Sequence, residues 1–256
     1  MKLSTKRKAI DKLNFAGFVA PTIILISTFV AIPFLMCIYY SFRKWNGIGK
    51  SSKFIGFDNY IRLFTNDTIF KGAFAYSMVY TILVVVLVNA LALLIALLLE
   101  SNIKGKGFFR AAFYIPNIIS AIVIGFIWKF IFGRVFDSLF QATSIGAFSW
   151  SWLGNPKLAV ITTVIVSVWQ GLGFYMIIYI AGLQSVPPAI LEAATIDGAG
   201  PVKKFFNVTL PMIMPSITVC LFYSVSNSLK MFELVFSLTG GGPGTSTTPI
   251  ALDIYN

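Results

Sequence analysis

Apolar and polar residues alternate along this chain in long blocks. Five apolar stretches lie at about 15–42, 75–99, 109–132, 158–184 and 212–238, separated by polar connections. Each is near or above the roughly 20 residues that an α-helix needs to cross the hydrocarbon core of a bilayer. The pattern predicts an all-α fold, a polytopic transmembrane helical bundle forming one membrane domain over residues 1–256. Pro33, Pro116 and Pro215 lie within or near the runs, where membrane helices tolerate kinks if neighbours re-satisfy the backbone. A further apolar segment opens at residues 250–255.

Composition removes the soluble alternative. Charged residues make up 11% of the chain and hydrophobic residues 57%, whereas a soluble domain carries about a quarter charged residues to face water. The net charge of +11 does not point to nucleic acid, because Lys and Arg are scattered between apolar runs and form no basic face. Basic residues in such loops suit a membrane surface instead. Cys37 and Cys220 sit inside apolar runs and read as small buried hydrophobes. The chain has no histidine, which removes the commonest general base and metal ligand.

Lys and Arg also set the orientation. Lys2, Lys6, Arg7, Lys8 and Lys12 crowd the start of the chain and predict a cytoplasmic N-terminus for a multi-pass protein of the cell membrane. The first apolar run is too long for a signal-peptide core and reads as a retained helix. Alternation then puts Lys104, Lys106 and Arg110 inside, together with Lys203 and Lys204. The outer loop at 43–74 runs against the rule with Arg43, Lys44, Lys50, Lys53, Arg62 and Lys71, and the dense N-terminal cluster decides the matter. Trp45, Trp150 and Trp152 fall at predicted outer boundaries, where amphipathic rings favour the interface.

The most informative stretch is 187–211, PPAILEAATIDGAGPVKKFFNVTLP. Pro187 and Pro188 stop the fourth span and suit the first turn of a new helix. Gly198 and Gly200 break that helix, and Pro201 begins a second one through Lys203 and Phe205–Phe206. Glu192-Ala193-Ala194, Asp197-Gly198 and Leu210-Pro211 together resemble the cytoplasmic loop of permeases in importers driven by an ATP-binding cassette (ABC) ATPase. Val208 stands where that family usually has Ile. Ala181 to Gln184, Phe57-Asp58-Asn59-Tyr60, Pro116 with Trp128, Trp152-Leu153 and the run from Leu238 through Gly240-Gly241-Gly242-Pro243 extend the likeness over most of the chain, and make it similar to the carbohydrate-uptake, maltose-type class, first-permease type.

This resemblance implies that the loop is a coupling helix docking on the ATPase, with Glu192, Ala193, Ala194, Asp197, Gly198, Leu210 and Pro211 as the coupling residues. It implies a second permease as heterodimer partner, an ATPase dimer and an extracytoplasmic solute-binding protein. It also implies a last span, the sixth, beyond the Gly-Gly-Pro turn, since only seven residues follow Pro249. The function implied is half of a translocation path for a sugar or oligosaccharide; a polyol or glycerol-phosphate importer of the same class is the alternative.

The fifth span supplies a candidate site without reference to any family. Phe222, Val225, Leu229, Phe232 and Phe236 share one helical face, while Ser224, Asn227, Ser228 and Met231 form a stripe elsewhere on it. Polar groups in hydrocarbon are costly, so that stripe should meet protein or a water-filled cavity. Ser167, Gln170, Gly171 and Phe174 make a comparable stripe on the fourth span, where Phe174 suits stacking on a pyranose and Gly171 admits a close approach. The resemblance places sugar contacts on these two helices, at the positions of Ser167, Gln170, Gly171, Phe174, Ser224, Ser228 and Met231. The competing reading is helix packing, in which Ser, Gly and Asn are ordinary. Packing is also the role expected of Asn89 and Asn117. Lys230 and Glu233, one turn apart, are expected to neutralise each other or to touch the partner permease.

Other classes lack their parts. The chain carries no GxSxG, HExxH or Cys-His pairing and no paired intramembrane carboxylates, so it is not expected to be an enzyme. Gly240-Gly241-Gly242-Pro243 lacks the Lys and Ser/Thr of a phosphate-binding loop and reads as a turn. No cofactor or metal is expected on this chain, with ATP and magnesium belonging to the partner ATPase. A channel or secondary transporter would carry charged rings or coupling carboxylates at mid-membrane, and neither is present in the spans.

Overall fold

The computed structural model describes residues 2–45, 47, 52–101 and 103–255, with side chains from Asp11 onward apart from Leu13. The basic side chains at positions 2–8, on which the orientation rests, and Lys50 lie outside the described residues. The chain divides into two compact units at Asp67–Thr68.

The first unit begins with α1 (Lys2–Ile26), which passes through a π-helical turn at Ser27–Ala31 into α2 (Ile32–Ser41). Residues 14–41 form an apolar helix of spanning length whose window is not buried within the chain, as a lipid-facing helix would be. Cys37 accordingly lies on an exposed face, contrary to the expectation of burial. Past α2, the two-residue strands β1 (Arg43–Lys44) and β2 (Lys53–Phe54) pair antiparallel, and α3 (Asp58–Thr65) follows. Asn59 ties these pieces together: its side-chain amide donates to the carbonyls of Ser41 at 2.8 Å and Arg43 at 3.0 Å. Tyr60 donates to Ser41 Oγ at 2.7 Å. The Phe-Asp-Asn-Tyr motif thus closes the end of α2 on the hairpin.

The second unit is built on α4 (Thr68–Glu100) and α8 (Pro156–Gln184), the two longest unbroken spans. Along α4, Tyr76, Tyr80, Val84, Val88, Ala92, Ala96 and Leu99 recur at near-fourfold spacing and are buried. Ala92 and Ala96 let the backbones approach, as small residues do between membrane helices. The helix α8 starts at Pro156, where the Asn155 side chain accepts from the backbone N–H groups of Lys157 and Leu158 at 3.0 and 3.3 Å. Such a cap contributes about 1 kcal/mol. At Gly173 the partner is α5 (Lys106–Ile118): a Cβ there would lie within 2.6 Å of the Phe113 carbonyl carbon and the Tyr114 Cα.

The third and fifth predicted spans are not single helices. The α5 helix ends at Ile118, the chain turns through 96°, and α6 (Ala121–Phe130) continues by a π-helical turn into α7 (Phe136–Thr143). A 3-10 turn at Gly146–Ser149 then leads to Trp152. Trp152 packs against Phe132 and Phe136 and donates through Nε1 to the Ala147 carbonyl at 2.9 Å. It belongs to a small aromatic cluster of the chain itself.

Beyond α8 come α9 (Pro188–Ile196), α10 (Pro201–Lys204), a π-helical turn and α11 (Leu210–Met212). The predicted fifth span begins as α12 (Met214–Leu229), bent by 69° from the preceding segment. It stops at Leu229, and α13 (Glu233–Leu238) restarts after three residues, so that 212–238 is a broken span. The Gly-rich segment is a turn as expected: the buried Thr247 donates to the Gly242 carbonyl at 2.6 Å, and Thr248 to the Gly241 carbonyl at 3.1 Å. Residues 250–255 form α14 (Ile250–Tyr255), with Leu252 in the main core beside α4. The fold is thus an all-α membrane bundle with three spans of full length, or five if each bent pair is one span.

Candidate functional site

A cleft of about 470 Å³ opens where the fifth span breaks. The break itself is tight: the Lys230 and Met231 N–H groups donate to the Asn227 and Ser228 carbonyls at 3.2 and 3.3 Å, ending α12 in 3-10 geometry. Six helices and the break wall the cleft. Tyr80, Val84 and Val88 come from α4, Asn117 from α5, and Ala121 from α6. Ser167, Gln170, Gly171 and Tyr175 come from α8, and Asn227 and Ser228 from α12. Lys230, Met231 and Phe232 belong to the break, with Glu233 and Leu234 opening α13.

Of the eight residues expected on a substrate path, Ser167, Gln170, Gly171, Asn227, Ser228 and Met231 come together here. Ser224 does not line the cleft: it is buried one turn below, accepting a hydrogen bond from Asn89 Nδ2 at 3.0 Å and donating to the Leu221 carbonyl. Phe174 is also outside the lining, with its ring 4.8 Å from that of Tyr223 and 5.4 Å from that of Tyr175.

Existing bonds limit what these groups offer a ligand. Ser167 Oγ donates to the Thr163 carbonyl at 2.7 Å and accepts from the Tyr80 hydroxyl at 2.6 Å. It retains one acceptor site. Gln170 Nε2 donates to the Ile119 carbonyl at 3.3 Å, at the bend between α5 and α6, and keeps its carbonyl oxygen and a second N–H. Lys230 and Glu233 do not neutralise each other as expected: among the described residues no ion pair joins them, and both line the cleft. The cleft therefore carries one cation, one anion, hydroxyls, amides and aromatic faces. Sequence reasoning missed Tyr80 and Tyr175 as lining residues and gave Asn117 to packing. The signal for Tyr80 was its place, with Tyr76, as a polar-tipped ring inside an apolar helix.

The predicted coupling loop forms a second site at the far end of α8. In α9, Glu192 and Ala193 are exposed and Ala194 is half-buried. The helix ends on Asp197 and Gly198, with Gly198 at φ +77°. The Ala199 N–H donates to the Ala194 carbonyl at 2.9 Å and the Gly198 N–H to the Thr195 carbonyl at 3.1 Å. This is the Schellman arrangement, for which glycine is the usual residue. The following helix folds back onto α9 through Lys204 Nζ, which donates to Thr195 Oγ1 at 2.6 Å. Leu210 and Pro211 stand in α11, just before the bend into α12. Ile196 is 86% exposed and Val202 71%, so this end presents apolar side chains to its surroundings.

Comparison with known proteins identifies the family of the chain. Residues 88–256 match the family model described as the binding-protein-dependent transport system inner membrane component. The probable starch degradation products transport system permease protein AmyD of Thermoanaerobacterium thermosulfurigenes is 41% identical, over 93% of this chain and 80% of that protein. The multiple sugar-binding transport system permease protein MsmF of Streptococcus mutans is 36% identical, over 98% and 87%. Among solved structures, a bacterial ABC transporter involved in the import of the acidic polysaccharide alginate superposes with a TM-score of 0.79, at 25% identity over 100% of this chain and 86% of that one. The chain is a membrane permease subunit rather than an enzyme, and it belongs to the family of inner-membrane components of binding-protein-dependent transport systems.

Proposed function

We propose that this chain forms half of the translocation path for a sugar or oligosaccharide, with the cleft at the α12–α13 break as its binding site. The observation that carries this reading is the convergence of six expected path residues with a helix break inside an otherwise apolar bundle. Polar side chains at such depth are costly unless they meet water or a polar ligand. Relatives named for starch degradation products and for multiple sugars support a sugar as the cargo.

The rest of the machine follows from the same reading. A second permease supplies the other wall, an ATPase dimer docks on α9, and an extracytoplasmic binding protein delivers the sugar. ATP and magnesium are used by the ATPase pair and not by this chain. The N-terminus and the coupling loop are cytoplasmic, and the whole chain acts as one membrane domain. Glu192 and Asp197 offer carboxylates to basic groups of the ATPase, beside the apolar contacts of Ile196 and Val202.

A glycerol-phosphate permease, UgpA of Yersinia pestis, is 30% identical over 93% of this chain. Lys230 in the cleft would suit a phosphate, but Glu233 in the same cleft repels one. A neutral sugar uses both, since a carboxylate accepts and an ammonium donates to hydroxyls. The test is uptake by the complete transporter in proteoliposomes of labelled maltotriose, raffinose, an alginate trisaccharide and glycerol 3-phosphate. ATP-dependent uptake of a sugar is expected. Uptake of glycerol 3-phosphate alone, or uptake by this chain without an ATPase, would overturn the reading.

A further inference from the structure

The face of α8 that gives Gln170 to the cleft continues toward the coupling loop. At 100° and 1.5 Å per residue, Gln170, Phe174, Ile177, Ala181 and Gln184 fall within about 80° of one another over roughly 21 Å of helix. A second cavity, of about 330 Å³, opens on the lower part of this stripe. Ile177, Ala181 and Gln184 line it from α8, and Arg110 and Tyr114 line it from α5. Phe174 lies on the stripe between the cavities and lines neither, with its ring against Tyr223 of α12.

The lower cavity is more apolar than the cleft, with Arg110, Tyr114 and Gln184 as its polar groups. At its edge three helices converge on one carboxylate. Arg110 lies 3.5 Å from Glu100 Oε2, and Gln184 Nε2 donates to the same oxygen at 3.4 Å. Both contacts are long, and the Arg110 Nε is buried without a hydrogen-bond partner. Gln184 stands three residues before Pro187, where the coupling loop begins.

We propose that the lower cavity is an exit station for the transported sugar, separated from the cleft by the Phe174–Tyr223 aromatic pair. This rests on the sugar-importer reading above. A sugar leaving the cleft gives up hydrogen bonds, and a second set of donors one step along the route shortens the unsatisfied passage. Transit is faster through several moderate sites than out of one deep site. Arg110, Tyr114 and Gln184 supply that second set, and the aromatic pair presents ring faces to the apolar side of a pyranose as it passes. Glu100 holds Arg110 and Gln184 at the mouth, next to the loop that the ATPase moves.

The test uses the complete transporter in proteoliposomes, with labelled maltotriose, raffinose and an alginate trisaccharide as probes. The variant Ala181→Trp fills the lower cavity and leaves the cleft untouched. Sugar-stimulated ATP hydrolysis is expected to stay within about twofold of the parent while uptake per ATP falls about tenfold or more. A second measurement covers a variant that fails to assemble. Ala181→Cys, in a background of Cys37→Ser and Cys220→Ala, is expected to react with a membrane-impermeant maleimide, and more slowly during turnover with sugar. Unchanged uptake per ATP in Ala181→Trp overturns the exit station. So does labelling of Ala181→Cys only by a bilayer-soluble maleimide, which makes the cavity lipid-facing, or by neither reagent, which buries it under the partner permease. A parent transporter that moves none of the three sugars overturns the importer reading, and the exit station falls with it.

Discussion

The Tyr179 hydroxyl donates to the Asn89 side-chain oxygen at 2.7 Å, buried between α8 and α4. The Asn89 amide donates onward to Ser224 Oγ at 3.0 Å, on α12, and to the Val85 carbonyl. One carboxamide thus joins three helices below the cleft, the packing role expected of it. Asn89→Leu leaves the Tyr179 hydroxyl without its acceptor, at a cost of about 1–3 kcal/mol. The thermal unfolding midpoint of the purified complex is expected to fall by a few degrees. Substrate affinity should change little, because Asn89 does not line the cleft. An unchanged midpoint would show that water or another group replaces the bond.

Gly171 and Gly173 are two residues apart and should respond oppositely to alanine. A Cβ on Gly171 would meet the Tyr175 ring at 3.3 Å, a contact that a small ring shift relieves. A Cβ on Gly173 would collide with the α5 backbone, which has no such freedom. Gly173→Ala is expected to lose most assembled complex on size-exclusion chromatography, and Gly171→Ala to retain it. Larger residues at 171 enter the cleft, so Gly171→Leu should lower uptake with assembly preserved.

Charge reversal of preference is testable at the break. Lys230→Met and Glu233→Gln each remove one charge from the cleft, and each should raise the KM for a neutral sugar by about 3- to 30-fold. Were the cargo a phosphate, Glu233→Gln would lower the KM instead. Initial uptake rates across a range of binding-protein concentrations and cargo loads give both answers.

At the end of α9, the space around Gly198 is open and only its positive φ constrains the residue. Asn and Asp tolerate the left-handed region, while a β-branched residue pays about 1–2 kcal/mol or more. Gly198→Val is therefore expected to lose co-purifying ATPase and sugar-stimulated hydrolysis. Gly198→Asp should be the milder of the two, and Glu192→Ala milder still, since apolar contacts remain. Equal retention of the ATPase by Gly198→Val and the parent would remove the coupling assignment.

Hydropathy located α4 and α8 to within a few residues, except for the first turns of α4, because nothing interrupts their apolar runs. The helix–turn–helix that follows α8 was also legible, since Pro188, Gly198 and Pro201 write local conformation directly into the chain. The two breaks were not. At 119–120 the nearest signal is Pro116, still inside α5, and the bend is secured by Gln170 from 51 residues away. At 230–232 neither Pro nor Gly marks the interruption. An unbroken helix would have set Lys230 beside Glu233; its interruption sends both into the cleft. Ser224 and Phe174 share helical stripes with lining residues, but periodicity cannot tell which turn of a stripe lies level with a cavity.

The bond from Gln170 to Ile119 gives the bent helix pair a further property. Ile119 lies between the last turn of α5 and the capping residue of α6, so its carbonyl belongs to neither helical ladder and depends on Gln170. The same side chain faces the cleft. A cargo that engages the remaining N–H or the carbonyl oxygen of this carboxamide therefore pulls on the side chain that tethers the joint. Were a solute to bind there, one carboxamide would serve both the cleft and the bend between α5 and α6, and a pull at the first would be felt at the second.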